Sequence, residues 1–388
     1  MKSLKKTTLA SLVGAAALAT AGAANATIVV GGDNGYEFSV DGNINQFFVA
    51  TDGESTDSNR VRNGLLPTFF GFNVAAPEIN GLKVGARVSI SPSTNGGSYF
   101  DESQNGNAME QREAFATVDG SFGQILAGKA LGLYSSNNIL LDQTLFGVGA
   151  VVPENQDDGQ TTLGRIGYGY DYANWRSQIR YTTPDMNGFK AALAVMDAEQ
   201  KGAGTTTERD EPRWEAELSY ATAFDGGSVK AWADYMTQKV ETTLGDVDSD
   251  AWTVGAQLVF AGFEVVGTYY DNEGVGDLGG LLHSTATDAT GDEREGDGYY
   301  VQAGYRFAGT TFLAASYGES TLDRTSAEKA ANLTGGIDSR ELATVGIYHD
   351  VTANLKLVAE YSKQEEEFHG VSGSDDHDIF AIGGFVTW

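Results

Sequence analysis

The chain has no cysteine, which excludes disulfides, thiolate metal sites and a cysteine nucleophile. It has only six prolines in 388 residues. Beyond the N-terminal segment it has no apolar run near the roughly 18–20 residues that a membrane-spanning helix needs. Positive charge is also scarce, with 25 basic residues against 53 acidic ones. So acidic a chain is repelled by nucleic acid and by acidic phospholipid surfaces. Acidity with few aromatics would suggest disorder, but 17 tyrosines and 19 phenylalanines exclude it.

The N-terminus is built for export. Lys2, Lys5 and Lys6 form a positive region, Leu9 to Ala23 is apolar and alanine-rich, and Ala24-Asn25-Ala26 offers a small-x-small cleavage site. Residues 1–26 are therefore expected to be a cleaved signal peptide of the Sec route, and 27–388 a single domain. The mature chain then loses three lysines and no acid, and carries a net charge of −31.

Glycine is abundant at 50 residues, and short segments alternate with period two, as strands do. Leu82, Val84, Ala86, Val88 and Ile90 alternate with Lys83, Gly85, Arg87 and Ser89. Trp252, Val254, Ala256, Leu258 and Phe260 repeat the pattern, and 342–348 follows it less cleanly. Alternation suits a soluble sandwich or a membrane barrel equally. The joins decide between them.

Short joins near 77–81, 119–123, 184–188, 225–228, 261–263, 308–310 and 352–355 alternate with long acidic ones. The long joins are 50–64, 92–109, 131–163, 198–212, 240–250, 273–297, 323–338 and 366–376. This is the pattern of an up-and-down barrel with tight periplasmic turns and long outer loops. It gives 16 segments, from Tyr36–Val49 to Asp378–Trp388, and an even number leaves both termini in the periplasm. An exported chain without long helices can span a bilayer only as such a closed barrel. Sixteen strands are wide enough for an aqueous channel, and lipid relieves the chain of needing a large apolar core.

Gln111-Arg112-Glu113-Ala114-Phe115-Ala116, followed by Gly120-Ser121-Phe122-Gly123 through Gly128-Lys129, resembles the strand–turn–strand that precedes the third loop of Gram-negative general porins. Leu141-Asp142-Gln143-Thr144-Leu145-Phe146-Gly147 stands where that loop folds inward. Gly164-Arg165-Ile166-Gly167-Tyr168 and Tyr181-Thr182-Thr183-Pro184 resemble the segments that follow. The resemblance covers essentially all of 27–388.

It implies a 16-stranded antiparallel transmembrane β-barrel in the outer membrane with an inward-folded third loop. It further implies a homotrimer among outer-membrane lipids and lipopolysaccharide, passing small hydrophilic solutes and ions without a cofactor. Arg112 and Arg165 fall at two arginine positions of the constriction, with Lys129 beside them, and Asp142 and Glu154 are the acidic candidates on the loop, backed by Asp157 and Asp158. Where the family has an arginine on its second strand, Thr68-Phe69-Phe70-Gly71-Phe72 has no cation, and Arg60 or Arg62 is the candidate substitute. Fewer arginines and a net negative chain favour cations.

Phe380, Ile382, Gly384, Val386 and Trp388 share one face, and an aromatic C-terminus is the expected signal for the barrel-assembly machinery. The runner-up is a channel specific for a sugar or small organic solute, for which Tyr168, Tyr170 and Tyr172 are candidate contacts. Two motifs carry nothing. Gly274 to Gly279 fits G-x-G-x-x-G, but no helix follows and acids surround it. Asp246, Asp248 and Asp250 open like a calcium loop without its glycine or its final glutamate. Four histidines in no nucleophile–base arrangement leave catalysis without support.

Overall fold

The computed structural model describes residues 28, 29, 31, 33–53, 57–92, 94, 109–151, 161–199, 202–209 and 211–388. The expected signal peptide and Glu154, Asp157 and Asp158 lie outside them. Sixteen antiparallel strands form one closed barrel. β1 is Glu37–Gly53, and β2 comes in two pieces, Ser58–Arg62 and Phe69–Ala75. β3 is Lys83–Pro92, β4 is Met109–Glu110 with Ala114–Gly120, and β5 is Gly123–Leu131. β6 (Trp175–Thr182), β7 (Phe189–Met196) and β8 (Thr206–Glu208 with Arg213–Phe224) follow a long interruption. β9 (Gly227–Thr242), β10 (Gly245–Phe260), β11 (Phe263–Glu273) and β12 (Glu295–Phe307) continue the wall. β13 (Thr311–Leu322), β14 (Ile337–Thr352), β15 (Leu355–Phe368) and β16 (Ser374–Thr387) complete it. β16 pairs with β1 from Asn43↔Thr387 to Gly53↔His377, which closes the sheet and abolishes its edges.

Every expected short join is a tight turn. Asn187-Gly188 and Ala261-Gly262 both have positive φ at both positions, the geometry whose twist matches that of the flanking strands. On the outer side, 240–250 is not a long loop. β9 and β10 run to Thr242↔Gly245 and turn through Thr243-Leu244 alone. The acids there misled the reading by composition, although alternation persists: Val240 and Val247 stay buried on the inner face while Asp246 and Asp248 point out.

Outward positions carry the apolar set expected for lipid, including Trp252, Val254, Leu258 and Phe260. Of the 342–348 run, the outward set is Ala343, Val345 and Ile347. At the outer rim tyrosines donate hydrogen bonds to carboxylates on the next strand: Tyr235 to Asp250, Tyr299 to Glu319 (3.2 Å), Tyr317 to Glu341 (2.6 Å) and Tyr361 to Asp378 (2.6 Å). This is an aromatic girdle with its polar ends turned to the headgroups. Ala256, on the lipid face between Trp252 and Phe260, lies near mid-bilayer. Ala256→Arg is expected to destabilise the folded barrel by about 2–4 kcal/mol in denaturant titrations in detergent or lipid. An unchanged midpoint would put Ala256 in the lumen.

The interior nevertheless packs more apolar side chains than a barrel relieved of a large core requires. Phe47, Tyr348, Val358, Ile379 and Phe385 are buried on the inner face with Val148 and Val151 of the long interruption. A second apolar cluster joins Ile139, Leu145, Ile166 and Tyr170 to Trp232, Val266 and Tyr300 of the wall. The barrel therefore holds a real core, made between its wall and what is folded inside it.

Candidate functional site: the inner loop and the free lumen

Residues 132–151 and 161–174, between β5 and β6, lie against the inside of the wall. A chain crossing a lumen brings backbone N–H groups that need acceptors, and inward-facing polar side chains supply them. Glu215 on β8 accepts from Leu133 N (2.6 Å) and Tyr134 N (3.0 Å), and Asp234 on β9 from Ser135 N (3.2 Å). The helix α1 (Ser136–Leu141) is seated by Trp232, whose Nε1 donates to Asn138 Oδ1 at 2.9 Å, while Asn138 Nδ2 donates to Thr253 at 3.1 Å. Gln302 on β12 accepts from Gln143 N at 2.7 Å. Glu360 on β15 accepts from Val148 N and Gly149 N, and Gln364 accepts from Val151 N. Gly147 permits this approach, since a Cβ there would fall 1.9 Å from Glu360 Oε1.

The outer loop 274–294 folds down onto the same segment. Its turn Asp277–Gly280, with positive φ at Leu278, Gly279 and Gly280, is buried throughout, and Tyr172 N donates to Gly279 O at 2.9 Å. Asp277 takes two hydrogen bonds from Arg340 of β14 (2.9 and 3.0 Å), and Arg340 also pairs with Glu366 and reaches Tyr168 Oη at 3.0 Å. The G-x-G-x-x-G stretch is thus a packed loop end. Further along, burial raises the Asp288 carboxyl, but hydrogen bonds from Thr290, Thr325 and Asp292 N outweigh it and hold it at about 2.

A free space of about 670 Å³ remains between the inner loop and the wall of β1 to β8. Its two sides differ in chemistry. The wall side carries Arg87, Arg112, Arg180 and Lys190 with Asp41, Glu113, Asp119, Asp185 and Glu217. The loop side is largely hydrocarbon, with Leu65 and Leu66 of the β2 interruption beside Ile139, Leu140, Phe146 and Ile166.

Arg87 is held by Asp41 (2.7 and 3.0 Å) and Glu113 (2.7 Å), and donates to Asn73 at 2.9 Å. The Cβ that Gly71 lacks would stand 2.6 Å from its guanidinium. Where the resemblance places an arginine on the second strand, glycine makes room for one from the third. Arg112 pairs with Glu110 at 2.8 Å.

Of the residues singled out from sequence, Arg112 borders the free space. Arg165 and Asp142 do meet, with Nε 3.8 Å from Oδ1, but both are fully buried behind the loop. Arg165 donates to Leu342 O at 2.8 Å and to Ser316, and Asp142 accepts from Thr144 N and from Tyr170 Oη at 2.9 Å. Tyr168 and Tyr170 are completely enclosed, the former between Glu366, Gln364 and Arg340. Their two rings pack loop against wall, while that of Tyr172 borders the space. Lys129 sits on the exposed outer phase of β5, opposite to Leu126 and Ala130, which face inward. Arg62 is buried and donates to Thr161 O at 2.7 Å.

Sequence reasoning passed over Arg87, Arg180, Lys190 and Glu217. Arg87 was legible in principle, since it occupies the inward phase of the 82–90 alternation.

The model of the Gram-negative porins matches residues 11–368. The chain belongs to that family. A search of curated proteins finds no match. Among solved structures the porin is similar to the outer membrane channel DcaP of Acinetobacter baumannii, at 16% identity and a TM-score of 0.66, covering 92% of this chain and 99% of that one. It is also similar to an anion-selective porin from Comamonas acidovorans, at 15% identity and a TM-score of 0.65, covering 91% and 100%. The Salmonella typhi OmpF complex with daunomycin follows at 15% identity and a TM-score of 0.60, covering 93% and 100%. At such identities the likeness is one of fold. The protein is accordingly a non-enzymatic channel of the Gram-negative outer membrane.

Proposed function

We propose that this porin is a passive diffusion channel for small hydrophilic solutes and ions, narrowed by the loop 131–163 and preferring cations. The observation that carries the preference is the pairing of the wall arginines. Arg87 lies between two carboxylates and Arg112 against a third, while Arg165 is withdrawn behind the loop. Asp119, Asp185 and Glu217 face the same space against Arg180 and Lys190. The fixed charge sensed by a permeating ion is therefore net negative, which enriches cations. Glu154, on the expected constriction loop, adds to the same sign.

We further infer a homotrimer set among lipopolysaccharide and outer-membrane lipids, cleaved after Ala26 and inserted by the barrel-assembly machinery through Trp388. OmpT of Vibrio cholerae, of similar fold, is described in a trimer form, which supports the oligomer.

Planar-bilayer recordings under a KCl gradient test the reading. A reversal potential of cation-selective sign, with stepwise insertion in threes, is the expected result. An anion-selective sign would remove the preference, and an absence of conductance from folded protein would remove the channel.

A further inference from the structure

The free lumen has a property that passage of hydrophilic solutes does not require: one of its sides is hydrocarbon. Leu66, Leu140 and Phe146 stay partly exposed to the space, backed by Leu65, Ile139 and Ile166. Such a side offers a solute no hydrogen bond, and its contact with water is unfavourable.

Opposite this side, apart from the bonded Arg87 and Arg112 pairs, the wall carries Arg180 and Glu217 without a hydrogen bond between them. Arg180 and Glu217 stand on β6 and β8, separated by β7, whose inward residues there are only alanines. Ala194 pairs with Arg180, and Ala192 pairs with Glu217. The two alanines leave a shallow bay between a cation and an anion. Arg180 Nε is buried with no protein partner among the described residues. Neither Arg180 nor Lys190 has a carboxylate within ion-pair distance there, and Glu217 accepts from the Asn137 amide at 3.0 Å.

We propose, resting on the channel reading above, that the preferred organic solutes are zwitterions with an apolar body, that is, free apolar α-amino acids and very short apolar peptides. A solute with only a carboxylate is drawn by Arg180 and repelled by Glu217, and a simple amine meets the reverse. A zwitterion satisfies both, while its side chain covers the leucines and the phenylalanine and spares their contact with water.

Uptake of radiolabelled solutes into proteoliposomes tests this with four molecules of similar size: leucine, asparagine, isocaproate and isoamylamine. Leucine is expected to enter about three- to tenfold faster than asparagine, a discrimination of up to roughly 1.4 kcal/mol. It should also lead the two singly charged analogues, each corrected for protein-free liposomes. The double variant Ile139→Asn/Leu140→Asn should erase the lead over asparagine, and Leu66→Asn, outside the loop, should reduce it if the double variant does not fold. Arg180→Gln should erase the lead over isoamylamine. Asparagine entering as fast as leucine would overturn the apolar side as a determinant, and isocaproate matching leucine would overturn the zwitterion. Either failure in protein that still conducts KCl leaves the channel intact, whereas loss of conductance would remove the channel itself.

Discussion

Replacing Arg340 with methionine is expected to detach the folded-in outer loop from the inner loop. Arg340 is the only cation within ion-pair distance of Asp277 and Glu366 among the described residues, and it also contacts Tyr168 of the inner loop. Its removal leaves two carboxylates buried without a counter-charge, a change that costs about 3–5 kcal/mol where it has been measured for buried pairs. The barrel ladder does not depend on this contact. The loss should therefore appear as faster amide hydrogen exchange in 274–294 and 161–174, and as larger, noisier single-channel currents, with the wall strands still protected. The triple variant R340M/D277N/E366Q, which removes the stranded charges, should recover most of the quiet open level. Unchanged exchange and current in R340M alone would show that the loops hold together by their apolar contacts instead.

The second large effect concerns charge selection. In the double variant Asp41→Asn/Glu113→Gln, Arg87 keeps its position, because Asn73 and the space above Gly71 remain, but it loses both counter-charges. The lumen then gains two net positive charges at one level. The cation-to-anion permeability ratio is expected to fall by about tenfold, roughly 1.4 kcal/mol, and the KCl reversal potential to change sign. Arg87→Met should push the ratio the other way. A ratio indifferent to both would mean that ions are selected at another level of the lumen, where Arg180, Lys190 and Glu217 are among the other charges on the wall.

The wall was legible in the sequence because its cause is local. Period-two alternation and turn chemistry are written within ten residues of each position, so Leu82 to Ile90 and Asn187-Gly188 announced themselves. The two-residue outer turn at Thr243-Leu244 was hidden because strand tops above the bilayer face water. There the outward set became Asp246 and Asp248, and composition resembled a loop while the pairing continued. The lumen was less legible, since what lies inside a barrel is decided by residues far apart in the chain. The motif set Asp142 and Arg165 against each other across an open constriction, whereas the two meet buried behind the loop. Their burial depends on Tyr170, Ser316 and Leu342, and no spacing shows that. Lys129 was assigned by motif alone, and the phase of its own strand, with Leu126 and Ala130 inward, turns it outward. Arg87 could have been found by reading that phase on β3 and noting a glycine on the neighbouring strand.

The pairing of β16 with β1 also sets a schedule for folding. Asn43 must find Thr387, so the seam joins nearly the two ends of the chain and carries the largest loop-closure entropy of any contact in the wall. Until that seam forms, β1 and β16 are both open edges with unpaired N–H and C=O groups, a template for any other extended chain. A chain lacking its final strand would leave β1 without its partner and present permanently open edges to its neighbours in the periplasm.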